Sequence, residues 1–319
     1  KLRSTFKTLP CKSNKDEPAV ISFANFKGGA AKTTSAVHSA QYFALHGYRV
    51  LFIDCDSQAS ATQLFGYNPD EDIENNHTLL PCLLEETDSI RNVIRKTHWD
   101  QLDLIPANLG LYGAEFSLPA KAAHANATNE EFLFFQILQN YLTEISDDYD
   151  IIILDCPPSM GMISINAIFA SNSLIIPVPP SMMDFSSTIQ FFAMVKEVLQ
   201  TLPEKEYSFI RLLVTKNDNQ SSSDTLVGTL RALYGSFVMK NMMFTSEAVR
   251  KASNDLLTLY EIDKYIGSKA TFDRALGFMN NVNQEIEALV RQMWPATETN
   301  SPLSKRLNTI MAKEETADA

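Results

Sequence analysis

The sequence predicts an α/β fold in which a largely parallel, twisted sheet carries helices on both faces. Short apolar runs alternate with segments of helical length and periodicity along most of the 319 residues, as in repeated βαβ units. Two of these runs end in aspartates, and a third leads into a turn of small residues. With 45% hydrophobic and 20% charged residues, the chain can bury the core of one large domain or of two.

The first predicted elements are a strand over 19–24 and a helix over 33–46. The strand is a continuous apolar run, as expected when both faces of a strand are buried. The helix has apolar residues at helical spacing, and Gly47 ends it. A strand that leads directly into a helix is the first half of a βαβ unit.

The later elements continue this alternation. Further strands are predicted over 49–54, 102–106, 150–155, 174–177, 209–215 and 238–239. Further helices are predicted over 89–96, 130–145, 163–170, 187–202, 224–234 and 271–293. The acidic segment 67–88 is predicted to be a loop. Pro157 and Pro158 stop the strand before them, because proline cannot donate a hydrogen bond to a sheet.

The turn between the first strand and the first helix has the composition of a phosphate-binding loop. Small side chains let backbone N–H groups converge on an anion, and the following helix adds its positive N-terminal end. Lys32 is expected to reach the terminal phosphates, and the Thr33 hydroxyl to hold Mg²⁺. The residues expected to contact the nucleotide are Lys27, Gly28, Gly29, Ala30, Ala31, Lys32, Thr33 and Thr34.

The strict pattern Gly-x-x-x-x-Gly-Lys-[Ser/Thr] is not met, because Phe26 and Ala31 stand where it requires glycine. The alternative is an ordinary Gly-Gly turn with two lysines in solvent. Acidic strand ends favour the phosphate loop: Asp54 and Asp56 end one apolar run, and Asp155 ends another. Open α/β sheets bind ligands at the carboxyl ends of their strands, although one such aspartate alone could be a helix cap or a turn residue.

Together these segments resemble the deviant Walker-type ATPases of the ParA/MinD superfamily. The resemblance rests on Lys27-Gly28-Gly29-x-x-Lys32-Thr33-Thr34, Asp54-x-Asp56-x-Gln58 and Asp155-Cys156-Pro157-Pro158. Within the superfamily, the phrases Asn25-Phe26-Lys27-Gly28-Gly29, Gln58-Ala59-Ser60 and Pro177-Val178-Pro179-Pro180 are similar to plasmid-partition ParA and RepA proteins. The likeness extends from about residue 19 to residue 293 and implies a deviant P-loop NTPase fold.

The resemblance implies catalytic roles for two lysines and one aspartate. Lys32 binds the phosphates, and Lys27 matches the signature lysine that reaches across a dimer to the partner's nucleotide. Asp56 matches the acid that positions or activates the attacking water. Phosphoryl transfer needs neutralised charge and an aligned nucleophile more than covalent help, which agrees with these residue types.

The resemblance also implies a magnesium site. Thr33 coordinates the ion, Asp155 matches the acid that holds its shell, and Asp54 lies near it. Two positions depart from the family pattern: Ser57 replaces a proline, and Ala31 replaces a glycine. If position 31 requires a positive φ, alanine there costs roughly 1–2 kcal/mol. We therefore expect ATP to bind and hydrolysis to be slow.

The function implied by the resemblance is DNA partition. Such an ATPase binds ATP and Mg²⁺, closes a homodimer around two nucleotides and binds non-specific DNA in the ATP state. Slow hydrolysis to ADP, stimulated by a ParB-type centromere-binding partner, then releases it. The implied location is the cytoplasm, on the nucleoid.

Composition opposes DNA binding, because the net charge is −11. Any DNA contact must therefore come from a local patch of lysine and arginine. The candidates are Arg250, Lys251 and Arg274, in two regions where the family uses basic residues for sequence-independent DNA binding. Each could equally be an ordinary solvated surface charge.

Three other functions remain open at this stage. A membrane-cycling ATPase similar to MinD would need a basic amphipathic C-terminal helix, whereas this chain ends in an acidic segment. An iron–sulfur reductase would need two cluster cysteines per subunit at the dimer axis, and Cys82 and Cys156 do not suit that arrangement. Ala31 also leaves open a hydrolysis-impaired P-loop relative.

The predicted domain organisation has three parts. Residues 1–18 are expected to be a basic linker that follows a missing upstream DNA-binding domain, residues 19–294 the ATPase domain, and residues 295–319 a polar tail. No apolar run reaches the length of a membrane span, so no membrane partner is expected. The four cysteines lack C-x-x-C spacing, which argues against a zinc site. The turn 215–218 is a weak candidate for adenine contacts.

Overall fold

A seven-stranded sheet forms the framework of the described residues. The computed structural model describes residue 12 and the ranges 16–181, 189–190, 193–194, 197 and 205–294. The strands are β1 (Ala19–Phe23), β2 (Val50–Asp54), β3 (Arg95–Lys96), β4 (Leu102–Ile105), β5 (Ile151–Asp155), β6 (Ser173–Val178) and β7 (Phe209–Val214). Their order is β3-β4-β2-β5-β1-β6-β7. Every neighbouring pair is parallel except β3 and β4.

Helices pack on both faces of this sheet. They are α1 (Lys32–Leu45), α2 (Ser60–Leu64), α3 (Leu80–Leu83), α4 (Ala114–Thr128), α5 (Ile137–Glu144), α6 (Met162–Ala170), α7 (Ser221–Tyr234), α8 (Glu247–Asn254) and α9 (Lys269–Gln292). One buried cluster joins one face of the sheet to α4, α5, α6 and α7. The other joins the opposite face to α1, α8 and α9. The predicted α/β fold class is confirmed.

The centre of the sheet explains why three strands could be recognised from their composition. Every residue of β1, β2 and β5 is buried. Successive side chains of a strand point to opposite faces, so Leu51 and Ile53 enter one core cluster while Phe52 enters the other. A strand buried on both faces therefore needs a continuous apolar run.

The carboxyl ends of the central strands lie side by side. Asp54 at the end of β2 is in register with Asp155 at the end of β5, and Asp155 is in turn in register with Phe23 at the end of β1. The Cys55 N–H donates to the Asp155 carbonyl at 3.0 Å. This register brings the two acidic strand ends next to the phosphate loop, which follows β1.

Two predicted elements are wrong because tertiary pairing decides their conformation. The segment predicted as a helix over 89–96 forms a short 3₁₀ turn over Ile90–Val93, followed by the antiparallel edge strand β3. The strand predicted over 238–239 is an isolated bridge from Val238 to Leu212. A two-residue pairing leaves no periodicity in a sequence.

Other predicted boundaries shift. The helix predicted over 130–145 begins only at Ile137, and the acidic segment 67–88 contains α3. Neither α4 nor α8 was predicted. In α4 only Ala114, Leu118 and Ala125 are buried, and Pro119 lies inside the helix, so its apolar pattern is weak. The helix predicted over 187–202 lies largely outside the described residues.

No helix among the described residues is long and apolar enough to cross a membrane.

Candidate nucleotide-binding site

The predicted phosphate loop connects β1 to α1 and is held from two neighbouring strands. The Asn25 amide Nδ2 donates to the carbonyl of Pro177 in β6 at 2.6 Å. The Thr215 hydroxyl, directly after β7, donates to the carbonyl of Ala30 at 3.0 Å, and Ala30 is fully buried. Contacts with two strand ends fix the backbone of the loop before any ligand binds.

Ala31 has a left-handed backbone conformation. Its φ is 65° and its ψ is 29°, at the position that precedes the first residue of α1. Gly29 also has a positive φ, of 75°. The condition under which alanine is strained at position 31 is therefore met, at a cost of roughly 1–2 kcal/mol relative to a favourable backbone conformation.

The Lys32 side chain lies within the loop. The residue is 6% exposed, and its ammonium Nζ donates to the carbonyl of Lys27 at 3.0 Å. Burial lowers the pKa of Lys32, and the neighbouring Asp155 opposes that shift. An ammonium held in this way is already oriented by the loop when an anion arrives.

Asp155 is a buried carboxylate whose two oxygens are left without a well-formed hydrogen bond among the described residues. Burial, and then the nearby charge of Asp54, raises the pKa of Asp155 well above its usual value, although the neighbouring Thr33 hydroxyl and Lys32 ammonium oppose the shift. A buried carboxylate without a donor is costly for a folded protein, so this side chain suits a site that a cation completes.

The donor set at this position fits Mg²⁺. No cluster of three or more His, Cys, Asp or Glu side chains suited to a metal occurs among the described residues. Mg²⁺ does not require one, because it is usually bound by one or two carboxylates together with phosphate and water oxygens. Asp155 supplies one carboxylate, and Thr33 supplies a hydroxyl at the wall of the nearby cavity.

Asp54 is fully buried and hydrogen-bonded to the protein. Its Oδ2 accepts from the Thr62 N–H at 2.9 Å and from the Thr62 hydroxyl at 2.7 Å. The same hydroxyl accepts from the Ala107 N–H at 2.9 Å. Burial raises the pKa of Asp54 to about 7, although the bonds from Thr62 oppose the shift. Asp54 thus ties β2 to α2 and to the segment after β4.

A cavity of about 540 Å³ lies over the phosphate loop. Lys32, Thr33 and Asp56 all line it, although Asp56 is 23 residues beyond Thr33 in the chain. The Asp56 Oδ1 accepts from the Gln58 N–H at 3.0 Å. The predicted nucleotide residues that line the cavity are Gly28, Gly29, Ala31, Lys32, Thr33 and Thr34. Lys27 and Ala30 belong to the same loop but not to the lining.

Three further lining residues come from distant parts of the sequence. Lys216 follows β7 with a φ of 53°. A Cβ atom on Gly29 would lie 3.9 Å from its ammonium, so Lys216 adds a cation near the loop. Ser253 and Leu256, in and just after α8, also line the cavity. The turn 215–218 was predicted only as an adenine contact, and nothing in the sequence points to the other two.

The predicted DNA-binding residues lie outside the cavity. Arg250 and Lys251 are exposed on α8, and Arg274 is exposed near the start of α9. The Arg250 Nε donates to Glu247 at 2.9 Å, in an ion pair that is exposed to solvent. The Lys251 ammonium lies 6.0 Å from the centre of the Tyr265 ring.

Fold and site together define a P-loop NTPase. Residues 18–207 match a family described as an AAA domain. Replication protein A of Rhizobium rhizogenes is 36% identical over 299 residues, which cover 92% of this chain and 74% of that protein. Protein SopA of Escherichia coli K12 is 33% identical over 300 residues, which cover 92% and 76% of the two chains. The chain therefore belongs to the ParA/RepA-type branch of the deviant Walker A superfamily.

Solved structures share this fold. Cobyrinic acid a,c-diamide synthase of Mycobacterium smegmatis, solved with an ATP analogue and magnesium, is 27% identical with a TM-score of 0.59. The match covers 68% of this chain and 83% of that one. The ATP complex of a McdA variant from Cyanothece is 20% identical with a TM-score of 0.70, over 85% and 97% of the chains. At 20% identity, the likeness to the McdA variant shows a shared fold and nothing more.

Proposed function

We propose that this chain is a DNA-partition ATPase that binds ATP and Mg²⁺ and works as a nucleotide-sandwich homodimer. The observation that carries the proposal is the convergence of Lys32, Thr33 and Asp56 on one cavity. The buried carboxylate of Asp155, which has no hydrogen-bond donor among the described residues, ends a strand beside that loop. This combination supplies cations, a metal ligand and a water-positioning acid in one place.

Each residue has a separate part in the proposed reaction. Lys32 binds the terminal phosphates, and Lys27 reaches the phosphates of the partner's nucleotide. Asp56 holds the attacking water in line. Thr33 and Asp155 would hold Mg²⁺, with Asp54 close by. When bound, the ion would withdraw negative charge from the phosphates as the transferred group departs.

The proposed switch connects the nucleotide to DNA through α8. Ser253, in the last turn of this helix, lines the nucleotide cavity, and Arg250 and Lys251 are on the same helix. Contacts that depend on the terminal phosphate are lost on hydrolysis, so the basic residues can be presented differently in the two nucleotide states. A dimer would also double the number of cations facing DNA.

We further propose that a ParB-type centromere-binding protein stimulates release, and that the protein acts in the cytoplasm on the nucleoid. In this proposal residues 19–294 are the ATPase domain; the predicted linker over 1–18 and tail over 295–319 lie almost wholly outside the described residues. The second candidate is a relative that binds ATP but hydrolyses it poorly. The left-handed Ala31, with a φ of 65°, favours this alternative.

The nucleotide site is tested with single substitutions at three residues. Lys32→Ala should abolish binding of a fluorescent ATP analogue, because it removes the buried phosphate-binding cation. Asp56→Ala should bind the analogue as the parent does, lose phosphate release by at least about tenfold and accumulate as a dimer with ATP. Lys27→Ala should bind nucleotide as a monomer and fail to dimerise. Normal hydrolysis by Asp56→Ala would contradict the role of that acid.

The DNA part of the proposal is tested by retention on non-specific duplex DNA with ATP or with ADP. Arg250→Ala and Arg274→Ala should each reduce retention in ATP and leave basal hydrolysis close to that of the parent. Lys96→Ala, which removes an exposed lysine paired with Asp103, is the matched control. Equal retention of the parent in ATP and ADP would contradict nucleotide gating.

A further inference from the structure

A second groove, of about 760 Å³, lies at the β7 edge of the sheet. It is formed by β7, by the end of α7 with the turn that follows, and by the last two turns of α9. It shares no lining residue with the nucleotide cavity. The charged side chains of its wall are Arg211, Arg231, Lys240 and Glu285.

Among the described residues, the three cations of this groove have no acidic partner. The Arg211 Nη1 donates to the carbonyl of the adjacent Ile210 at 2.8 Å, and the Arg231 Nη2 donates to the carbonyl of Lys240 at 3.1 Å. None of the three forms an ion pair with a carboxylate in the described part of the chain. Their charges are therefore available to a ligand.

Glu285 forms no ion pair with these cations among the described residues, and its carboxylate is hydrogen-bonded to the turn that carries Lys240. One oxygen accepts from the Lys240 N–H at 2.7 Å. The other accepts from the Asn241 N–H at 2.8 Å and from the Asn241 side-chain amide at 2.7 Å. These bonds hold the turn that carries the Lys240 side chain. The lining thus has three positive charges and one negative charge, a net of +2.

Another basic groove of the described residues differs in this respect. It has a volume of about 620 Å³, lies at the opposite edge of the sheet and also carries three cations, Arg49, Arg91 and Lys96. Each of those is paired, with Asp150, Asp148 and Asp103 in that order. On a chain with a net charge of −11, cations that have no acidic partner in the described ranges and lie together in one groove are the feature that can attract a polyanion.

We propose that the groove at the β7 edge binds the phosphate backbone of double-stranded DNA through Arg211, Arg231 and Lys240, and that this binding needs no nucleotide. Arginine suits the task because its planar guanidinium binds phosphate oxygens in pairs. The choice of DNA as the polyanion rests on the proposed function. Because the groove lies apart from the nucleotide cavity, it would supply a constant affinity beneath the ATP-dependent contacts.

The test uses the full chain without nucleotide, a fluorescent duplex of random sequence and salt between about 50 and 200 mM. The variant carries Arg211→Gln, Arg231→Gln and Lys240→Gln. The slope of log affinity against log salt is negative, and each lost phosphate contact should reduce its magnitude by about 0.9. Affinity at low salt should fall at least about tenfold. The control carries Arg49→Gln, Arg91→Gln and Lys96→Gln, the paired cations of the opposite groove, which change the net charge equally and should keep the parent slope.

Three results would overturn the inference: no nucleotide-free DNA binding by the parent, an unchanged slope in the groove variant, or an equal loss in the control. Binding of poly-L-glutamate is measured in parallel. If the groove variant loses poly-L-glutamate binding and keeps its DNA binding, the inference is also overturned, because the groove would then suit an acidic protein segment. Binding of the ATP analogue by each variant shows that it is folded. If ATP fails to raise the DNA affinity of the parent, the proposed switch is wrong, while the nucleotide-free comparison still decides the role of the groove.

Discussion

Four residues other than glycine adopt left-handed backbone conformations around the nucleotide cavity. Ala31, Ala59, Lys216 and Leu256 have φ values of 65°, 55°, 53° and 53°. Ala31, Lys216 and Leu256 line the cavity, and Ala59 lies between Gln58 and Ser60, which also line it. Such conformations persist only where surrounding contacts enforce them, and they cluster at functional sites. The strain is located where the loop must present its groups to a ligand.

The clearest single-residue test of this strain is Ala31→Gly. Glycine accepts a positive φ without steric cost, which favours the variant by roughly 1–2 kcal/mol. The greater freedom of glycine in the unfolded chain offsets about 0.4–1 kcal/mol of that gain. We expect a small net increase in the free energy of unfolding, measured in urea, together with faster ATP turnover.

Ala31→Val provides the opposite control, because a β-branched side chain is worse than alanine at positive φ. It should unfold at lower urea concentration than the parent. If Ala31→Gly and Ala31→Val shift stability in the same direction, strain at position 31 does not explain the behaviour of the loop. Undetectable ATP binding in both the parent and Ala31→Gly would refute the expectation that ATP binds.

At the scale of elements, one glutamate joins α4 to the loop that leads from β5 to α6. Glu115, in the first turn of α4, accepts from the N–H groups of Met162 at 2.7 Å and Ile163 at 3.2 Å. Gly161 precedes α6 and has no side chain to cap it. A carboxylate at a helix N-terminus satisfies free N–H groups and interacts well with the helix dipole. Pro158, in the same loop, lines the nucleotide cavity.

This contact predicts a coupled pair of substitutions. Glu115→Ala removes the acceptor and should lower the free energy of unfolding by about 1 kcal/mol, whereas Glu115→Gln retains an acceptor and should cost less. A Cβ atom on Gly161 would overlap the Glu115 carboxylate, so Gly161→Ala should also be destabilising in the parent.

The double variant decides whether the two residues interact. With Glu115→Ala already present, Gly161→Ala should cost little, since the carboxylate that it would displace is gone. Urea unfolding of the four proteins gives the coupling energy directly. Additive costs in this cycle would show that Glu115 does not hold the loop. Nucleotide affinity measured on the same proteins tests whether the α4 contact affects the cavity.

At the scale of the whole molecule, a buried glutamate near the end of the fold joins α9 to α1. Glu287 accepts from the hydroxyls of Tyr42 and Tyr48, both at 3.0 Å. It also accepts from His46 at 3.1 Å and from the Arg291 Nη2 at 2.9 Å. Burial alone would raise the pKa of Glu287, but the bonds from His46 and Arg291 outweigh it and lower the pKa to about 2. The helix that follows the phosphate loop is thereby fixed to the last helix of the described residues.

A carboxyl group whose pKa is lowered in the folded state stabilises the protein at pH values above the ordinary pKa of that group. That stability is lost as the pH falls from the ordinary value of 4.5 towards about 2. Glu287→Gln should lower the free energy of unfolding at pH 7 by about 1–3 kcal/mol, and should lose less further stability than the parent over that acid range. Thermal unfolding at a series of pH values measures both effects.

An exposed glutamate provides the control for this prediction. Glu130→Gln, outside the network, should follow the parent at every pH. If Glu287→Gln and the parent lose stability in parallel between pH 4.5 and about 2, the carboxylate does not hold the two helices in the way described. The result would leave the nucleotide site untouched, because Glu287 does not line the cavity.

Sequence alone determined the phosphate loop, the acidic strand ends and the parallel sheet of this chain. Those features depend on neighbouring residues: a buried strand needs an unbroken apolar run, and an anion-binding turn needs small residues before a helix. The weakly amphipathic α4 and the two-residue β3 were not predicted, because neither leaves a clear periodic pattern in neighbouring residues.

Only the tertiary structure decided which charges are paired. Arg250 looked available in the sequence and is bonded to Glu247, whereas Arg211, Arg231 and Lys240 meet in one groove from three separate elements. Likewise, no local pattern reveals that the carboxylate of Asp155 is buried without a donor among the described residues. Pairing depends on distances between side chains that are far apart in the chain, and packing alone sets those distances.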